Sequence, residues 1–353
     1  MNGYFNENGN AKDLRLSLLN IAQKLDCHKI SFVNSKIIPV SKDAQDLLKE
    51  MSLSDFKEYG NKGNVAASDI SKVLEMIVDN TATSGEVSLL VSDFIFCPTK
   101  EKSATSLGPQ AEKSTITDIF KKKKMAVAIY RLEAQFNGTF FTGHFEIKNN
   151  AVTETNYPFN APRPYYIWAI GDEKEIDWLI KNDKISDSRV SNTLCLTTGG
   201  KQIDYHLEQI KGLYDIDRKD PKHAVSARTD KSGKFFVNII ASLGKLPLTE
   251  EYLSNPDNYR TNDNNYKVSK IDKTGDSYRI KVEGKIIKGG TYEVYLKIKA
   301  PDWVRNVEMY PEWDIRKQGY ENCTYGFQYL VEGVCDAMTK ESDNYAVFNI
   351  KIN

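Results

Sequence analysis

Glu86–Phe96 reads EVSLLVSDFIF, a nearly unbroken apolar run rich in β-branched and aromatic side chains and stopped by Pro98. A run this short and this apolar fits a strand covered on both faces better than a helix. Just upstream, Ile70, Val73, Leu74, Ile77 and Val78 recur at i, i+3, i+4, i+7 and i+8, which predicts an amphipathic helix leading into that strand. Farther upstream, Leu14, Leu18, Ile21, Ala22 and Leu25 share one helical face over about residues 11–25. Lys29–Val33 and Lys36–Val40 flank Asn34-Ser35 and read as an antiparallel hairpin. Residues 42–62 read as short helices and a loop.

Downstream, a helix is expected at Ser114–Lys124, then buried strands at Met125–Leu132 and Tyr165–Ile170, then a short helix at Glu173–Ile180. Helices alternating with buried strands imply an α/β fold: a Rossmann-like, mostly parallel sheet with helices on both faces over residues 1–185. After a connection at 186–230, alternating runs at Phe235–Leu243, Tyr278–Ile287, Thr291–Lys299 and Tyr345–Ile352 predict a β-sandwich-like domain over 231–353. One helix, Tyr325–Met338, interrupts it.

The order of elements in residues 1–185, with Ser-Asp closing LLVSDF, resembles the von Willebrand factor A fold. That resemblance implies a metal-ion-dependent adhesion site at the C-terminal ends of the strands. Ser68, in NVAASDISKVL, stands where the family's second loop supplies a hydroxyl, with Asp69 beside it, and Asp93 stands where a strand-end aspartate belongs. Mg²⁺ takes about six hard oxygen ligands, so such a set is chemically coherent. The family's first strand and its D-x-S-x-S loop are missing, and the chain opens as such a domain would from the methionine after that loop. Met1 therefore reads as an internal methionine, and Mg²⁺ is expected only with the upstream loop present. Ser68 and Asp69 also read as ordinary helix N-caps, and Asp93 as a turn-former after a strand.

Elsewhere the sequence argues mostly against specific chemistry. Lys plus Arg and Asp plus Glu are equal at 48 each, so no overall field draws nucleic acid. Lys121–Lys124 reads as a solvated helix C-terminus. No run nears the roughly 20 apolar residues that cross a bilayer. The five cysteines, Cys27, Cys97, Cys195, Cys323 and Cys335, lack zinc-ligand spacing and read as reduced thiols. Thr197-Thr198-Gly199-Gly200-Lys201 lacks the first glycine and final hydroxyl of a phosphate loop. Asp204 and His206 form a nominal acid–base pair, better read as surface residues. Phe136, Phe140 and Phe141 in QFNGTFFTG are candidates for the rim of a binding face, while Tyr166 and Trp168 read as core and Trp303 and Trp313 as anchors of the second domain's core.

The resemblance points to a non-enzymatic module that binds an unidentified protein partner through the A-type domain. Two alternatives stay open: a hydrolase-like enzyme with an interdomain site using Asp93, Asp69 and a histidine, or a structural component of a larger assembly.

Overall fold

The computed structural model describes residues 1–6, 12–62, 69–97, 108–148, 151–308, 322–339 and 342–353. The chain divides into two compact units, Met1–Cys195 with Ala300–Ala337, and Leu196–Lys299 with Met338–Asn353.

Unit 1 opens with a 3₁₀ turn, η1 (Asn2–Phe5), and helix α1 (Lys12–Lys24), followed by the short hairpin β1 (Ser31–Val33) and β2 (Ile37–Pro39). Helices α2 (Ala44–Glu50), α3 (Leu53–Gly60) and α4 (Ile70–Ser84) lead to β3 (Ser88–Ser92). Asp43 caps α2 and Ser52 with Asp55 forms a reciprocal capping box on α3, so each start is fixed by side-chain oxygens on otherwise orphaned amides. Helix α5 (Gly108–Lys123) precedes the long strands β4 (Ala126–Lys148) and β5 (Ala151–Gly171). Helix α6 (Glu173–Lys181) and β6 (Val190–Leu196) complete the first stretch. The sheet order is β3-β5-β4-β6.

This sheet corrects the Rossmann-like, mostly parallel expectation. β4 and β5 are the two arms of one antiparallel hairpin, and β3 joins β5 antiparallel, from Ser88 opposite Ile170 to Ser92 opposite Tyr166. The runs at 125–132 and 165–170 are apolar but for Arg131 because helices cover the sheet, α4 lying against β3 and β5 and α1 and α6 against β4. Double coverage, not parallel pairing, produced the pattern. The residues between those runs continue the same two strands. Pro158, Pro162 and Pro164 sit on β5 at even positions, so their missing N–H groups all face one edge. That edge is the one away from β4: β3 stops pairing at Tyr166, and the Pro164 carbonyl there accepts a bond from the Tyr4 hydroxyl at 2.6 Å.

The chain returns to unit 1 in α8 (Asp302–Asn306) and α9 (Phe327–Met338), which follow the elements of unit 2. All of α9 but its last residue belongs to unit 1. Phe327 packs 4.0 Å from Tyr166 ring to ring, and the buried Glu308 carboxylate accepts from the amides of Gly326 and Gln328 at 2.6 and 2.8 Å, fixing the start of the helix.

Unit 2 is built from two sheets. One runs β12 (Tyr266–Thr274), β13 (Ser277–Gly284), β10 (Phe235–Ala241), β7 (Tyr205–Glu208), all antiparallel. The other runs β11 (Tyr259–Thr261), β14 (Gly290–Lys297), β15 (Asn344–Ile352), β9 (Asp220–Val225), β8 (Asp215–Asp217), with β9 parallel to β15. Burial alternates along β10 and β13, placing Phe235, Val237 and Ile239 inside with Ile280 and Val282. Tyr266–Tyr292 and Tyr205–Phe348 ring contacts at 4.5 and 5.2 Å tie one sheet to the other. The helix α7 (Glu250–Ser254) and the turns η2 (Leu243–Lys245) and η3 (Pro256–Asn258) connect them.

Candidate functional site

Helix α4 ends at Gly85, whose φ of 69° is open to glycine at little cost, and the chain doubles back into β3. Asp69 caps α4, accepting from the Lys72 amide at 3.3 Å. Ser68 lies outside the described residues.

Asp93 follows β3 at a rigid corner. Phe94 adopts φ 50°, a conformation that disfavours side chains, and is held there by complete burial and a stack on Trp168 at 4.8 Å. The Phe94 amide donates to Ser92 Oγ at 3.2 Å, and Ser92 Oγ donates to Asp93 Oδ1 at 3.4 Å. The Asp93 side chain stays 21 % exposed, and its Oδ2 faces the Met1 ammonium at 3.5 Å.

Behind this carboxylate lies a cluster the sequence reading passed over. Arg163 is 1 % exposed, with its guanidinium 3.5 Å above the Phe140 ring. Nη2 donates to the Cys323 carbonyl at 3.2 Å, and Nη1 has no hydrogen-bond partner among the described residues. Tyr4 is fully buried, and burial drives its hydroxyl far above the ordinary tyrosine range; Arg163 pulls it down and Asp93 pushes it up. Tyr166, bonded to Thr324 at 3.0 Å, is pushed to about 12 by burial. Both phenols stay protonated at neutral pH, so neither serves as a base. The only sequence signal for Arg163 was a charge set between two prolines in an aromatic strand.

The described residues do not assemble a metal shell. No three His, Cys, Asp or Glu side chains converge among them, and Asp69 is committed to its helix cap. That donor set falls short of the six oxygens Mg²⁺ prefers.

The other sequence candidates resolve individually. Phe136 and Phe140 are buried, and Phe141, at 51 % exposure, is the one of the three that faces outward. The amides of Gly199, Gly200 and Lys201 bond to the carbonyls of Met338, Asn344 and Tyr345, which leaves none of them to cradle a phosphate. Asp204 pairs with Lys245 at 3.1 Å rather than with His206. No disulfide joins the five cysteines. Lys121–Lys124 are exposed at the end of α5, with Lys123 paired to Asp79 at 3.0 Å. Trp303 packs against Phe327 at 6.1 Å within unit 1 and not in the second domain's core, and Trp313 lies outside the described residues. No helix among them is long and apolar enough to cross a membrane.

A cleft of about 480 Å³ opens between α1 and the loop before β6, lined by Asn20, Gln23, Lys24, Ser186, Ser188 and Arg189 with Asp187. Within it Arg189 grips Asp187 through both oxygens at 3.1 Å, Ser17 donates to the same carboxylate, and Lys24 donates to Ser186.

No family model matches the sequence, and no curated protein matches it.

Proposed function

We propose that this chain is a protein-binding module that engages its partner at the C-terminal end of β3. The observation that carries this is the partly exposed Asp93 carboxylate, fixed on a rigid corner that follows β3. A carboxylate so placed suits a lysine, arginine or amino group presented by a partner, because the corner is ordered before binding and little entropy remains to be lost. The metal-dependent version of this reading needs oxygen ligands beyond those of the described residues.

The test compares partner capture by the wild-type chain with Asp93→Asn and Asp93→Ala, each with Mg²⁺ and with chelator. Capture lost in both variants, with far-UV and near-UV circular dichroism unchanged, supports the proposal. Capture that survives Asp93→Ala removes Asp93 from the interface. Chelator sensitivity in the wild type alone would restore the metal-bridged form.

A further inference from the structure

β3 carries apolar residues on both faces yet ends its sheet. β5 pairs one edge of it, and no hydrogen bond reaches the backbone of its outer edge among the described residues. Its residues SLLVS face Ile170 to Tyr166 in unbroken register. Alternate residues therefore turn both backbone groups toward β5, and those between turn theirs outward. Thr81 on α4 donates to Ser88 Oγ at 2.6 Å, so Ser88, Leu90 and Ser92 face α4, and Leu89 and Val91 face the other side. Leu90 alone of the five is buried. A segment patterned for burial on both faces is thus left half-covered, beside a row of unpaired N–H and C=O groups.

Other strand edges in this chain are blunted in the ways that prevent unwanted pairing. Three prolines close β5 beyond β3, and β12 carries Lys267, Lys270 and Lys273 around a bulge. β7, β8 and β11 are only three or four residues long. β3 has no proline, no charge and no bulge. We propose that the outer edge of β3 takes an extended apolar strand of a partner protein, which adds to the sheet and presents a basic residue to Asp93. Backbone groups on the edge recognise an extended chain, and Leu89 and Val91 recognise its apolar side chains. The basic residue rests on the reading of Asp93 as a partner contact, whereas the strand rests on β3 alone. A second copy fits less well. Two β3 strands paired antiparallel about Leu90 would set Asp93 beside Val87 and next to Glu86 of the copy, a carboxylate where a cation is wanted.

A fluorescein-labelled peptide of alternating threonine and valine ending in lysine, titrated into the full chain and followed by anisotropy, tests this. It should bind, and at saturation it should slow hydrogen exchange of the β3 amides while leaving unit 2 unchanged. The same peptide N-methylated throughout cannot donate to the edge and should bind about tenfold more weakly or worse. Val91→Lys, which places a charge on the edge strand, should weaken binding to a similar degree. Asp93→Ala should weaken the lysine-ended peptide about threefold and leave a glutamine-ended one unchanged. Loss of that difference alone removes the basic residue, and with it the reading of Asp93, while the strand stands. No binding up to about 1 mM peptide, equal binding of the N-methylated peptide, or unchanged exchange at β3 would each overturn the proposal. A dimer in sedimentation velocity that Val91→Lys abolishes would give the edge to a second copy and overturn it as well.

Discussion

Phe327→Ala is the sharpest probe of how this chain is put together, because α9 follows the elements of unit 2 in sequence yet packs into unit 1. The Phe327 side chain is fully buried and touches three aromatic neighbours besides Tyr166: Phe94 and Trp168 at 6.4 Å and Trp303 at 6.1 Å, ring to ring. Truncating a buried phenylalanine costs about 3–5 kcal/mol through lost transfer energy and the cavity left behind. The stacked Tyr166 pair adds about 1 kcal/mol, which argues for the upper half of that range. With an m-value of about 3 kcal/mol/M in urea, a loss of about 4 kcal/mol moves the midpoint by about 1.3 M. Trp168, Trp178 and Trp303 all belong to unit 1, and the stretches forming unit 2 contain no tryptophan. Tryptophan fluorescence therefore reports unit 1 alone. Phe327→Leu, which keeps most of the apolar volume, should lose about 1–2 kcal/mol. A Phe327→Ala shift below about 1 kcal/mol would refute the placement of α9 in the core of unit 1.

Three further outcomes follow from single features. Gly143 holds φ 77°, and a Cβ there would come within 2.1 Å of the Phe96 carbonyl oxygen, so Gly143→Ala should cost about 3 kcal/mol or more by thermal denaturation; an unchanged melting temperature would contradict this. His28 bridges Asp43 at 2.6 Å and Asp26 at 3.2 Å, and those two contacts raise its pKa, the Asp43 hydrogen bond most. Its stabilisation is therefore complete below the unfolded value of about 6.5 and fades as pH rises through the raised folded value. The wild-type minus His28→Gln difference in melting temperature should shrink over that interval, and a difference that grows with pH would have the wrong sign. Arg163→Met should leave stability within about 1 kcal/mol of the wild type or raise it, because an ammonium-sized charge buried with one hydrogen bond and a ring contact barely recovers its desolvation; a loss above about 3 kcal/mol in urea would show that the guanidinium is better compensated.

The elements themselves were legible where a period was strong. The helix at Ile70–Ser84, the Asn34-Ser35 hairpin and the alternating strands of unit 2 follow directly from side-chain spacing. Strand direction was not legible, for a physical reason. EVSLLVSDFIF and the runs at 125–132 and 165–170 encode burial on both faces, and burial carries no information about whether a neighbour runs up or down. The evidence for a hairpin lay in the 30-odd residues between the last two runs, where three prolines argue locally against a strand. They are admissible only because their N–H side is an edge, and edge status is a property of the assembled sheet, not of the segment.

The same limit governs the site. Asp93 stood out because the end of a buried strand is a place a sequence can mark. Arg163 did not, since nothing in NAPRPYYIW says that its guanidinium turns inward onto Phe140, from the other arm of the hairpin, toward a carbonyl at Cys323 far along the chain.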